Sequence, residues 1–178
     1  MKIVYQIILL PLVAVTLLAC MSSNNNNLNE LSQIDQEGFS LTDTSLKKVK
    51  KTAVEWNKVL TSNQYYILRE KGTERPFSNA YHDNHQKGNY FCAGCKLPLF
   101  SSKTKFDSGT GWPSFYAPIE KSRVTEVIDD SYGMVRGEIV CTRCEGHLGH
   151  VFNDGPNPTG LRYCMNSGAM IFIAERKK

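Results

Sequence analysis

The chain reads as a mainly β fold with short N-terminal helices, its antiparallel sheets rolled or paired and stapled by one metal site. Three observations predict that class. Short β-prone runs broken by Gly, Pro, Asn and Asp fill the sequence after about residue 88. Two Cys-x-x-Cys pairs, Cys92/Cys95 and Cys141/Cys144, lie within that half, and helical periodicity is confined to the segment before it.

The helical signal comes first in the chain. Leu46, Val49, Ala53, Trp56 and Leu60 recur at spacings of three and four, one stripe of an amphipathic helix. Lys47, Lys48, Lys50 and Lys51 then form its solvated face. A second short helix follows, with Thr61, Ser62 and Asn63 as candidate caps, Tyr65 and Leu68 facing inward and Gly72 as its stop. Strands are predicted over 89–92, 115–119, 123–128, 132–140, 161–164 and 169–174, with a strong turn at Asn153-Asp154-Gly155-Pro156. Turns join these runs where βαβ units would need helices, so the sheets should be antiparallel.

A length of 178 residues with 41% hydrophobic content supports one domain with an ordinary core. The formal net charge of +4 is mild, and no nucleic-acid signature accompanies it. At the start, Lys2 precedes an apolar stretch over 3–19 that is too short for a membrane span and reads as an export signal. Its end, Leu17-Leu18-Ala19-Cys20, resembles a bacterial lipoprotein signal, in which the cysteine is lipidated; plain secretion is the alternative. The polar run Met21-Ser22-Ser23-Asn24-Asn25-Asn26-Asn27 reads as a flexible tether. The expected organisation is a signal peptide over 1–19, a tether over 20–44 and one folded domain over 45–178. A lipid on Cys20 would place that domain at a membrane facing the envelope, and Met21 after the cysteine favours the outer membrane.

Four of the six cysteines supply a complete tetrahedral thiolate set for zinc, with no position left for water, so the site should be structural. Disulfides, favoured by export, and paired redox motifs are the alternatives. With those four committed and Cys20 lipidated, Cys164 remains the one free thiol of the mature chain. It is either a buried small hydrophobe or a nucleophile. In Arg162-Tyr163-Cys164-Met165-Asn166 an extended backbone sends Arg162, Cys164 and Asn166 to one face. A cation there favours thiolate, although Arg162 could equally serve a surface ion pair. His147 and His150 are candidates for metal ligation or, since four thiolates already saturate zinc, for proton transfer.

Five motifs in order carry a family resemblance over roughly 53–174. They are Gly72-Thr73-Glu74-Arg75-Pro76-Phe77, Cys92-Ala93-Gly94-Cys95, Lys105 to Phe115 with Gly111-Trp112-Pro113-Ser114-Phe115 at its end, His147-Leu148-Gly149-His150-Val151-Phe152, and Arg162 to Ser167. The chain resembles the B-type methionine sulfoxide reductases, which act on the R epimer. That resemblance implies a rolled antiparallel β fold and a structural zinc on Cys92, Cys95, Cys141 and Cys144. It implies Cys164 as the nucleophile, Trp112 and Phe152 at the substrate methyl group, and His147, His150 and Asn166 at the sulfoxide oxygen. Arg162 would help to ionise the cysteine. It further implies oxidised proteins as substrates, a thioredoxin-like thiol donor and a monomer. Many relatives carry a recycling cysteine where this chain has Thr110, so an external thiol should reduce the oxidised Cys164 directly. A zinc-stapled binding module with an inert Cys164, or a thiol-disulfide oxidoreductase using both Cys-x-x-Cys pairs, would be the competing functions.

Overall fold

A computed structural model describes residues 44–130 and 136–175; the predicted signal peptide, Cys20 and nearly all of the predicted tether lie outside them. Two helices lead, α1 over Ala53–Val59 and α2 over Ser62–Glu70. Each opens with a capping box, Thr52 with Glu55 and Thr61 with Gln64, satisfying main-chain donors at the first turn. No helix among the described residues is long and apolar enough to cross a membrane.

The predicted first helix is shortened at its start. Residues 44–51 carry no regular structure, because their main chain is held elsewhere: Val49 N–H donates to Arg143 O at 2.9 Å, and Arg143 Nε–H donates to Ser45 O at 2.8 Å. Thr52 then caps a helix that buries Trp56, while Ala53 of the predicted stripe is exposed. The lysine cluster therefore precedes the helix, and Lys48 pairs with Glu145 at 2.8 Å. α2 ends at Glu70, two residues before the predicted stop, and Lys71 after it takes the left-handed conformation (φ 57°) that ends a helix. Its buried residues are Ile67 and Leu68, with Tyr65 packed at the core's edge.

Nine strands occur among the described residues: β1 Gly88–Cys92, β2 Pro98–Ser101, β3 Lys105–Phe106, β4 Ser114–Phe115, β5 Val124–Asp129, β6 Arg136–Cys141, β7 His147–Phe152, β8 Arg162–Met165 and β9 Met170–Ala174. They form a three-stranded sheet of order β2-β1-β9 and a six-stranded sheet of order β3-β4-β8-β7-β6-β5, antiparallel throughout. The predicted strand over 115–119 shrinks to Ser114–Phe115, and part of 132–140 lies outside the described residues. β2, β3 and β7 went unpredicted; β7 reads His-Leu-Gly-His, too polar and glycine-broken to show β periodicity.

The core is assembled from both sheets. Tyr90 and Phe100 of the smaller sheet meet Phe115, Leu148 and Met165 of the larger, all fully buried. Phe100 stacks on Phe115 with centroids 4.5 Å apart and Tyr90 meets the same ring edge-on at 5.0 Å, contacts worth about 0.5–1.5 kcal/mol each beyond burial. That packing fixes β4 against β8, and in its register Ser114 lies opposite Cys164.

Candidate active site and metal centre

The four Cys-x-x-Cys sulfurs converge at the ends of β1 and β6 and lie within 4.8 Å of one another, all buried. Cys92 Sγ is 3.5 Å from Cys144 Sγ, and Cys95 Sγ is 3.5 Å from Cys141 Sγ. Those separations far exceed a disulfide bond of about 2.05 Å. They lie close to the edge of about 3.8 Å that follows from a zinc tetrahedron with Zn–S bonds of about 2.3 Å. The donor set therefore fits Zn²⁺.

The two knuckles repeat one design. Lys96 N–H donates to Cys92 O and Glu145 N–H to Cys141 O, both at 2.8 Å, and Lys96 and Glu145 each take a left-handed φ near 60°. The special backbone position thus falls just after the second cysteine, on Lys96 and Glu145. A Cβ at Gly146 would sit 2.5 Å from Arg69 Nη2, so a side chain there would displace that guanidinium. Arg69 itself lies over the Trp56 ring at 4.4 Å and donates to Cys144 O at 3.0 Å and Cys144 Sγ at 3.5 Å. A cation on a thiolate ligand offsets part of the negative charge that four thiolates leave around a divalent ion.

Cys164, half-buried, is the fifth cysteine among the described residues and stands apart from that cluster. It sits on β8 opposite His150 of β7, in a small cavity of about 150 Å³ whose walls include Trp112, His150, Phe152 and Asn166. Five residues expected at one site are thereby brought together. Gly149 makes this possible: at φ 155° it leaves room where a Cβ would lie 2.1 Å from Cys164 O. The Trp112 ring is held by Nε1–H donation to Glu74 O at 3.1 Å. Asn166 donates from Nδ2 to Leu148 O at 3.2 Å, and its Oδ1 accepts from Glu74 N–H at 3.2 Å.

Arg162 lies beside Cys164 without lining the cavity. Its guanidinium makes two 2.8 Å bonds to Asp154 and stacks over Phe152 at 4.4 Å, so the surface ion pair and the local charge are both real. Burial pushes the Cys164 thiol above its ordinary value; Arg162, Thr110 and Ser114 pull the other way without overcoming it. Thr110 Oγ1 is 4.0 Å from the sulfur and belongs to a hydroxyl chain, with Ser108 at 2.8 Å from both Thr110 and Ser114.

His147 is in a neighbouring, larger cavity of about 650 Å³, which shares Thr73, Arg136 and His150 with the first. The two imidazoles meet edge-on with centroids 5.4 Å apart. His150 Nε2 is 2.8 Å from Asp129 Oδ2, which also accepts from Arg136 Nη2 at 2.8 Å. His147 Nδ1 is 2.8 Å from Glu138 Oε1, and burial lowers its pKa. The sequence reading missed Glu138, Asp129, Arg136 and Glu74. Glu138 left a trace: a carboxylate between Gly137 and the apolar Ile139-Val140 is out of place unless something inside receives it.

Fold and site together define a metal-stapled β domain carrying one thiol outside its metal cluster. The SelR domain family matches residues 60–174, and the chain belongs to that family. Relatives named peptide methionine sulfoxide reductase MsrB are similar along most of their lengths. One from Pseudomonas savastanoi pv. phaseolicola is 59% identical over 131 residues, 74% of this chain and 100% of its own. Another, from Hahella chejuensis, is 55% identical over 127 residues, 71% of this chain and 91% of its own. A third, from Agrobacterium fabrum, is 54% identical over 132 residues, 74% and 98% respectively.

Proposed function

We propose that the protein repairs oxidised proteins by reducing methionine-R-sulfoxide to methionine, with Cys164 as nucleophile and a thioredoxin-like dithiol as electron donor. The observation that carries this reading is the setting of Cys164 in a chain of this family: a thiol outside the metal cluster, at a cavity walled by an indole, a phenyl ring, an imidazole and a carboxamide. Trp112 and Phe152 offer apolar faces to the substrate methyl group. His150, Asn166 and, through the adjoining cavity, His147 supply the polar end at the sulfoxide oxygen.

The chemistry balances as a two-electron transfer. Cys164 thiolate attacks the sulfoxide sulfur while a proton is delivered to its oxygen; methionine leaves, and oxygen remains on Cys164 as sulfenic acid. The donor's first thiol attacks that sulfur and releases water, and its second thiol resolves the mixed disulfide, returning Cys164 as thiol and the donor as disulfide. Zinc on the four cysteines would hold the fold and takes no part in these steps.

The deciding experiment is an assay of the purified, zinc-loaded chain on separated R and S epimers of peptide methionine sulfoxide with a dithiol donor. Turnover of R alone is expected; preference for S, or no turnover, refutes the assignment, and with it the competing readings as a binding module or general oxidoreductase would regain ground.

The placement in the cell belongs to the same proposal. The apolar stretch over 3–19, the cysteine at position 20 and the polar run after it support export and lipid attachment at Cys20, with a monomeric domain facing the periplasm from the outer membrane. Mass spectrometry of the mature N-terminal peptide should find a diacylglyceryl group on Cys20 and no residue before it; an unmodified Cys20 would mean plain secretion.

A further inference from the structure

Glu138 is a buried carboxylate that the proposed reaction does not use. It is 1% exposed in the middle of β6, where an unpaired charge would be strongly disfavoured. Two partners hold it: Lys71 Nζ at 2.8 Å on Oε2 and His147 Nδ1 at 2.8 Å on Oε1. Lys71 reaches it from the left-handed end of α2, with most of its side chain in solvent. The other imidazole nitrogen of His147, Nε2, is buried and bonded to no group among the described residues. A buried imidazole with one nitrogen fixed on a carboxylate and the other unspent is arranged to carry a proton at the unspent one.

We propose that Glu138 is a positioning residue for sulfoxide reduction: its carboxylate keeps the Nδ1 proton of His147, so that Nε2 is the atom that takes up and gives up the working proton, with Lys71 as the carboxylate's counter-ion. This rests on the reading of His147 as a proton donor at the sulfoxide oxygen. His147 takes a proton on Nε2 from water, passes it to the oxygen as Cys164 attacks, and returns to the neutral Nδ1–H form.

The surrounding charges set the direction of the pH effect. Burial lowers the pKa of His147, the Glu138 carboxylate raises it, and His150 and Lys71 lower it. Asp129 and Arg136 line the same cavity and are paired with each other. Burial raises the Glu138 carboxyl, but hydrogen bonds from Lys71 and His147 together outweigh it, so the group is a carboxylate at neutral pH. Without that charge His147 is protonated only at lower pH, and the alkaline limb of turnover must move down.

Glu138→Gln is the sharp variant. Lys71 would take the amide oxygen, leaving the amide N–H₂ facing Nδ1, which inverts the tautomer and places the resting proton on Nε2. The expected result is kcat lower by about 10- to 100-fold, KM nearly unchanged, and the alkaline limb of the kcat profile displaced to lower pH. Glu138→Asp should restore part of the loss. In the parent, ¹⁵N shifts of His147 should report a neutral ring protonated at Nδ1, a measurement that stands even if the Gln variant fails to fold. Parent-like kcat and profile in the Gln variant, or an Nε2–H ring in the parent, overturns the proposal. His147→Gln separates the two levels. If it loses turnover while Glu138→Gln does not, only the role of Glu138 fails; if it keeps turnover, the reading of His147 fails as well.

Discussion

Replacing Cys164 by serine is expected to abolish sulfoxide reduction, by on the order of 10⁴-fold or more, while zinc content and fold stay those of the parent. The alkoxide of serine is far less accessible at neutral pH than a thiolate, and oxygen cannot accept the sulfoxide oxygen as a stable intermediate. The fold should be indifferent because Cys164 is only half-buried and shares no bond with the metal cluster. Steady-state assay, metal analysis and a thermal melt on the same preparation read all three. Retained turnover would place the nucleophile elsewhere, and the only other sulfurs among the described cysteines are the four in the cluster. In the parent, one turnover without donor should leave a sulfenic acid on Cys164 that a dimedone-type probe captures. A disulfide from Cys164 to a cluster cysteine would contradict the metal commitment of those four.

Stripping the zinc is expected to unfold the domain, not merely loosen it. Binding of structural zinc to four thiolates contributes about 10–16 kcal/mol in small domains, as large as the whole stability of a typical domain, about 5–15 kcal/mol. Here the ion would join β1 to β6, and so the smaller sheet to the larger. Arg143, 1% exposed, adds to the dependence: it donates to Cys95 O at 3.0 Å and to Ser45 O at 2.8 Å, tying the segment ahead of α1 to a knuckle that the ion would hold. Chelation or Cys95→Ser should release one zinc per chain and lower the melting temperature by at least about 15 °C. A metal-free chain, its four thiols reduced, that melts like the parent would show that the sheets hold without the ion.

The features visible in the sequence share one property: each is carried by a residue whose chemistry is local. Cys-x-x-Cys spacing determines a knuckle wherever it folds, and Thr61 announces a helix start from three residues of context. Strand β7 escaped because its identity depends on what it faces. His147 and Gly149 look unlike strand residues until Glu138 on one side and the main chain of Cys164 on the other are in place. The first helix was overextended for the opposite reason: Leu46 and Val49 keep helical spacing, but a buried arginine nearly a hundred residues later claims the main chain of Ser45 and Val49. Among site residues, those in contiguous motifs were legible, whereas Glu138 and Asp129 are joined to the histidines only through strand pairing.

The hydroxyl of Thr110, 4.0 Å from the Cys164 sulfur, carries a physiological cost under the proposed chemistry. A hydroxyl cannot cap an oxidised sulfur, so between turnover and rescue the intermediate waits unprotected. When donors run short and peroxide is plentiful, that sulfur can climb to sulfinic and then sulfonic acid, from which thiols do not bring it back. Repair capacity would then be spent irreversibly, and a cell relying on this protein must keep its reductant flowing across the stress it is meant to survive.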